Sequence, residues 1–265
     1  YTRGNGISIR PYDAICSQFR IFFEWYIDNV KVIKNPFNDK RVKGANAIKN
    51  IVLATGDRHI FTGEELEEII AKLHDSIEED NAKFYELLLR LFYEGIGDTR
   101  QIITIKEEDI NAKARTVNLS GRVIKLSPRT MKLLQEIHEM EQLSAYKGLY
   151  EMVSWNGSYI KFPTRKINVA TFDQKEDSLL MAYIHRALGN QLNRIGYTVT
   201  YRVIYLRGFY DFMCSRIPEE EVISIITSVN DSDKSTQISL FAKIYGINEK
   251  NATNLKKNLL IFIPA

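Results

Sequence analysis

Cysteine is scarce. Cys16 and Cys214 are the only two, with no CxxC and no paired Cys/His spacing. That excludes a disulfide scaffold, argues against a zinc site, and leaves reduced intracellular thiols as the default. Long apolar runs are also missing: no stretch of about 18 apolar residues occurs, so nothing reads as a membrane-spanning helix. His59, His74, His138 and His185 lack ligand spacing and read as surface or partly packed histidines; no metal or cofactor is expected. No Ser/His/Asp arrangement can be assembled. Gly95-Ile96-Gly97 lacks the preceding strand and following helix of a nucleotide loop and reads as a helix stop. There is no signal-peptide pattern. The chain opens on Tyr1 rather than Met, which suggests a preceding region.

With 265 residues, 45% hydrophobic, 26% charged and 11% aromatic, the chain can bury a sizeable core. Charge is unevenly placed. Residues 1–50 carry 9 basic and 4 acidic side chains, 51–110 carry 6 and 15, and 111–170 carry 10 and 4. Two basic blocks flank an acidic one. Such a pattern suits a polyanion contacted from separated segments, and it also suits an ordinary mixed surface.

The hydrophobic period is mainly helical. Residues 13–30 carry Ile15, Phe19, Phe22, Phe23, Tyr26, Ile27 and Val30 on one broad face, and Asn35-Pro36 ends it. A linker is predicted over 35–60, with a short helix at 45–54. Thr62 with Glu65 reads as a capping box ahead of Leu66, Ile69, Ile70 and Leu73. A strong helix spans 81–93, followed by a short one around Ile102, Ile103 and Ile105. The period then changes: Thr116–Leu119 and Val123–Leu126 flank Ser120-Gly121, a hairpin signal. Ser127-Pro128 starts a helix with Met131, Leu134, Ile137 and His138. Residues 144–174 are aromatic and basic without clear period. Helix returns over 176–195, with Leu179, Leu180, Tyr183, Ile184, Ala187 and Leu188 as its buried side. A further helix capped by Thr198 or Thr200 runs to Met213, then others over 219–228 and 240–245. Leu259–Ile263 reads as an exposed apolar tail with strand propensity, a candidate contact for a second copy.

The order of these elements resembles the tyrosine recombinase (phage integrase) family. The matching residues are Phe61–Leu66, Phe84 to Gly95, Ile102–Asn111, the hairpin, Leu126–Thr130, and Tyr205-Leu206-Arg207-Gly208-Phe209, covering about residues 61–245. The resemblance implies a mainly α fold with a small antiparallel hairpin or sheet. It also implies a catalytic-type domain over 60–265, preceded over 1–59 by the end of a helical core-binding domain and a linker. The family cleaves DNA with a tyrosine, while two arginines, a lysine and histidines stabilise the phosphoryl centre. Here Asp98 falls at the first arginine, with Arg100 two residues on. Ile204 and Gly208 fall where histidines are expected. Arg207 matches the second arginine. Lys125 or Arg122 matches the lysine, and Tyr245, with Phe241 as rival, the nucleophile.

The resemblance therefore implies a degenerate member that binds DNA without strand transfer, as do lysogeny-maintaining repressors of SPβ-like Bacillus prophages. Such a protein would sit in the cytoplasm on host DNA and hold its operator between two helical domains. The alternatives are an active integrase with a rearranged site and a helical protein–protein adaptor. Candidate contacts to double-stranded DNA are Lys43 and Lys49 on the linker with Lys40 and Arg41, Arg122 and Lys125 on the hairpin, Lys161, Arg165 and Lys166 on a loop, Arg186 and Arg194 on one helix, Arg202, and Arg207. Arg186 is the expected base reader, because an arginine suits guanine.

Overall fold

The computed structural model describes residues 18–19, 21–22, 60–119, 121–145, 148–164, 177–228, 231–247 and 252–263. Lys43, Lys49, Arg165 and Lys166, and nearly all of the predicted linker, lie outside the described residues. The chain divides into two compact units, Tyr1–Ile60 with Pro264–Ala265, and Phe61–Ile263. Of the first, Gln18, Phe19, Ile21 and Phe22 are helical, within the helix predicted over 13–30.

The second unit is mainly helical with small antiparallel sheets, as the sequence implies. Helix α1 (Gly63–Ser76) starts at Thr62, whose hydroxyl accepts from Glu65 N at 3.1 Å. It buries Leu66, Ile69, Ile70 and Leu73. Helix α2 (Glu79–Tyr93) buries Phe84, Leu87, Leu88, Leu89, Leu91 and Phe92. Apolar side chains that surround a helix suit one packed on several sides. Accordingly α2 lies against α1, α4 (Pro128–Glu139) and α6 (Tyr201–Cys214). Gly95 ends it with φ 113°, a left-handed turn that disfavours other residues.

After the short α3 (Thr99–Thr104) comes a three-stranded sheet, β1 (Ile110–Asn111), β2 (Thr116–Leu119) and β3 (Arg122–Lys125), in that order and antiparallel. Val117 pairs with Ile124, so the hairpin predicted from Ser120-Gly121 is in register, with Val117, Leu119 and Ile124 facing inward. Ser127 caps α4, accepting from Thr130 N at 3.2 Å, with Pro128 as first residue. Glu94, just past α2, ties that cap down by accepting from Ser127 N at 3.0 Å and Thr130 Oγ1 at 2.6 Å.

The region without period contains a second antiparallel sheet, β4 (Gln142–Ala145), β5 (Gly148–Ser154) and β6 (Lys161–Thr164). Its inward residues, Leu143, Met152 and Phe162, are split among short strands and a turn in which Asn156 and Gly157 both have positive φ. In β5 the apolar Leu149 is 68% exposed, on the same face as Glu151, which blurs the period of two. Trp155 Nε1 donates to Asp177 Oδ1 at 2.8 Å, fixing this sheet to the start of α5 (Asp177–Arg194). Helices α6, α7 (Glu219–Thr227), α8 (Ser232–Tyr245) and α9 (Ala252–Leu259) complete the unit. Thr200, rather than Thr198, caps α6.

Two sequence expectations need correction. The apolar tail is neither a strand nor exposed. Leu259 ends α9, Leu260–Phe262 form a 3-10 turn, and Leu259 and Phe262 are buried, with the Phe262 ring 5.9 Å from that of Tyr210. Tertiary burial overrides strand propensity there. Tyr183, taken as part of the buried stripe of α5, is 42% exposed; the stripe is Leu180, Ile184, Leu188 and Leu192.

One buried carboxylate joins α1, α2 and α4. Glu86 accepts from Arg90 Nε at 2.8 Å, from Arg129 Nε at 2.9 Å and Nη2 at 2.6 Å, and pairs with His74 Nε2 at 2.9 Å. Burial alone would raise its pKa, but the bonds from Arg129, Arg90 and His74 outweigh that and bring it to about 2. A depressed native pKa stabilises the fold at pH values above the ordinary carboxylate range, and this is lost as pH falls through that range toward 2. His74 works in the opposite sense. Burial lowers its pKa, yet Glu79 and Glu86 raise it overall, so its contribution is full below the ordinary histidine value and is lost as pH climbs through the raised one. Glu86→Ala, which leaves two arginines without their buried partner, should cost about 3–5 kcal/mol in urea unfolding at neutral pH. Its stability should also fall less between pH 5 and 3 than that of the native chain.

Candidate nucleic-acid interface

The residues that the resemblance sets at catalytic positions each have defined partners in the fold. Asp98 is the N-cap of α3: its Oδ1 accepts from Arg100 N at 2.8 Å, and both side chains are exposed. A carboxylate suits a helix N-terminus and would repel a phosphodiester there. Next to it, Thr99 is buried with its hydroxyl on His185 Nε2. The His185 ring stacks on Tyr201 at 4.2 Å, and burial lowers its pKa against the opposing pull of Asp98.

Tyr245, at the end of α8, is buried among Tyr205, Phe209 and Phe212, with ring centroids 5.3–5.5 Å away. Its hydroxyl donates to the Tyr93 carbonyl at 2.5 Å, and its pKa is raised by burial first and then by Tyr205, Tyr93, Asp211 and Glu94. Burial and this bond both favour the protonated, donating form of the hydroxyl. Phe241, the rival alignment, lies edge-on to Phe212 at 6.5 Å.

Gly208, where the resemblance expects a histidine, is fixed by close packing. A Cβ at this position would overlap the Tyr93 carbonyl and the Tyr245 hydroxyl, so any side chain would part α6 from α2. Ile204 is fully buried. Arg207 is intact but already paired, with Nη2 2.7 Å from Asp211 Oδ1 and Nε 3.0 Å from Oδ2. Tyr93 donates to that same carboxylate at 2.5 Å. Asp211 was not singled out from the sequence, although a carboxylate four residues after an arginine is a readable helical pair.

Arg122 turns inward from the hairpin. Its guanidinium donates to the Gly95 carbonyl at 3.0 and 3.1 Å and to the Tyr245 carbonyl. Burial lowers its pKa, with Tyr205 and Tyr245 opposing. Gly246 leaves room for it: φ is 98°, and a Cβ would overlap the guanidinium. Lys125 instead is exposed on the outer face of β3, beside Val123. Lys161 donates to the Met140 carbonyl at 3.1 Å, at the end of α4.

Helix α5 is arranged differently. Opposite its buried stripe lie exposed Arg186, Asn190 and Asn193, with exposed Tyr183 and Arg194 toward its Leu180 edge, and Arg202 is exposed on the first turn of α6. Arg194 reaches Gln191 Oε1 at 3.4 Å. Sequence reasoning found the arginines and missed both asparagines, whose signal was their position opposite the apolar stripe. Among the described residues, no group of three or more His, Cys, Asp or Glu could hold a metal ion, and no helix is long and apolar enough to cross a membrane.

No family model matches the sequence, and no curated protein matches it. Among solved structures, the chain is similar to XerA recombinase, with TM-score 0.41 and 10% identity over 90% of this chain and 88% of that one. It is also similar to the Tn1549 transposon integrase solved with circular intermediate DNA, with TM-score 0.40 and 12% identity over 95% of this chain and 80% of that one. Both are loose likenesses of outline.

Tyr245→Phe should lower stability by about 1–3 kcal/mol, because the Tyr93 carbonyl loses its buried donor. Thermal melting of the two chains checks this; equal melting would mean that the hydroxyl contributes nothing to the fold.

Proposed function

We propose that this chain is a sequence-specific double-stranded DNA-binding protein with a recombinase-like fold, acting as a repressor of transcription rather than as a strand-transfer enzyme. The observation that carries the reading is the Tyr245 hydroxyl, buried and bonded to the Tyr93 carbonyl. Asp98 caps α3 and Arg207 is paired with Asp211, so of the cations that the resemblance sets at catalytic positions Lys125 alone stands exposed with its charge outward among the described residues. DNA binding is assigned to the cations that the fold leaves outward: Lys125, Arg186, Arg194 and Arg202. Lys43, Lys49, Arg165 and Lys166 join them from the basic segments on charge alone. Operator binding without cleavage makes a roadblock to transcription, and the prophage repressors that the sequence resembles work in that sense.

Two measurements test this. A duplex nicked to trap a covalent intermediate should yield no protein-linked DNA on a denaturing gel. A protease-sensitive shifted band that disappears in Tyr245→Phe would overturn the inactive reading. Affinity for duplex DNA should fall steeply with salt, each phosphate contact adding about 0.9 to the slope of log K against log[salt], and Arg194→Ala should flatten it by about 1. Salt-independent binding, or none, would favour a protein–protein adaptor.

A further inference from the structure

The outward arc of α5 carries more than arginine. At about 100° per residue, Arg186, Asn190 and Asn193 fall within an arc of about 60°, centred opposite Leu180, Ile184, Leu188 and Leu192. Between Asp177 and Asp211 the sequence has no acidic residue, while it has Arg186, Arg194, Arg202 and Arg207. A polyanion laid along α5 therefore meets cations and amides and no carboxylate from this stretch.

The two side-chain types have distinct chemistry. Guanidinium presents paired donors, which match guanine O6 and N7. A carboxamide presents one donor and one acceptor, which match adenine N6 and N7. Four residues of helix rise about 6 Å, close to two base-pair steps of about 3.4 Å.

We propose that Asn190 is a specificity-determining residue that reads an adenine in the major groove, about two base steps from a guanine read by Arg186. The proposal rests on the DNA-binding reading above. Asn190 is uncharged, so its contribution is to selectivity and not to the salt-dependent attraction supplied by Arg194 and its neighbours.

The test is selection from a randomised duplex pool by the 265-residue chain and by Asn190→Ala, with Asn190→Gln beside them. The native chain should select a motif with guanine and adenine about two steps apart. Asn190→Ala should lose preference at the adenine alone, by about 5- to 150-fold, while its affinity for random DNA, salt slope and melting temperature stay native. Asn190→Gln, which keeps the carboxamide, should retain part of that preference. If Asn190→Ala still selects adenine, or loses every position equally, the proposal is overturned while DNA binding stands. A native chain that binds duplex DNA without selecting a motif overturns it in the same way. A native chain that binds no duplex overturns it together with the function proposed above.

Discussion

The bracket formed by Arg122 is the constraint from which much of the second unit's arrangement follows. One guanidinium joins the tip of the β2–β3 hairpin, the turn after α2 and the end of α8 through the Gly95 and Tyr245 carbonyls. Those carbonyls belong to helix ends, where backbone acceptors have no partner within the helix. A half-buried cation meeting them is favourable on both sides: the acceptors gain donors, and the charge sits at the negative ends of two helices. The close fit also fixes backbone choices, with Gly95 and Gly246 both at positive φ around the bracket.

The same packing engages the polar groups around Tyr245. Bringing α8 against α2 and α6 puts the Tyr245 ring where it can donate to Tyr93, and this requires no side chain at Gly208. Tyr93 in turn donates to Asp211, which pairs with Arg207. Tyr245, Tyr93, Asp211 and Arg207 thus form one chain of contacts inside the unit.

Arginines divide by environment. Arg90 and Arg129 meet the buried Glu86, Arg207 meets Asp211, and Arg122 meets carbonyls; all four serve the interior. Arg186, Arg194 and Arg202 stand outside on α5 and α6, in a stretch without carboxylates. Net charge conceals this division, because +3 averages over cations that are already committed.

What the sequence by itself determined was local. Period, caps and turns give α1 from Thr62, α2 up to Gly95, the β2–β3 register and α4 from Ser127-Pro128, because each depends on residues within a few positions of one another. Tertiary structure decided where the polar atoms go. Arg122 looked like a hairpin-tip cation and points inward; Lys161 looked like a loop cation and caps α4; Tyr183 looked buried and faces out; the final apolar residues looked like a free strand and close over Tyr210. The second sheet was hidden because apolar Leu149 faces out on β5 and the Asn156-Gly157 turn separates β5 from β6. In each case the deciding partner lies far along the chain, as Gly95 and Tyr245 do from Arg122, and pattern within a window carries no information about a partner outside it.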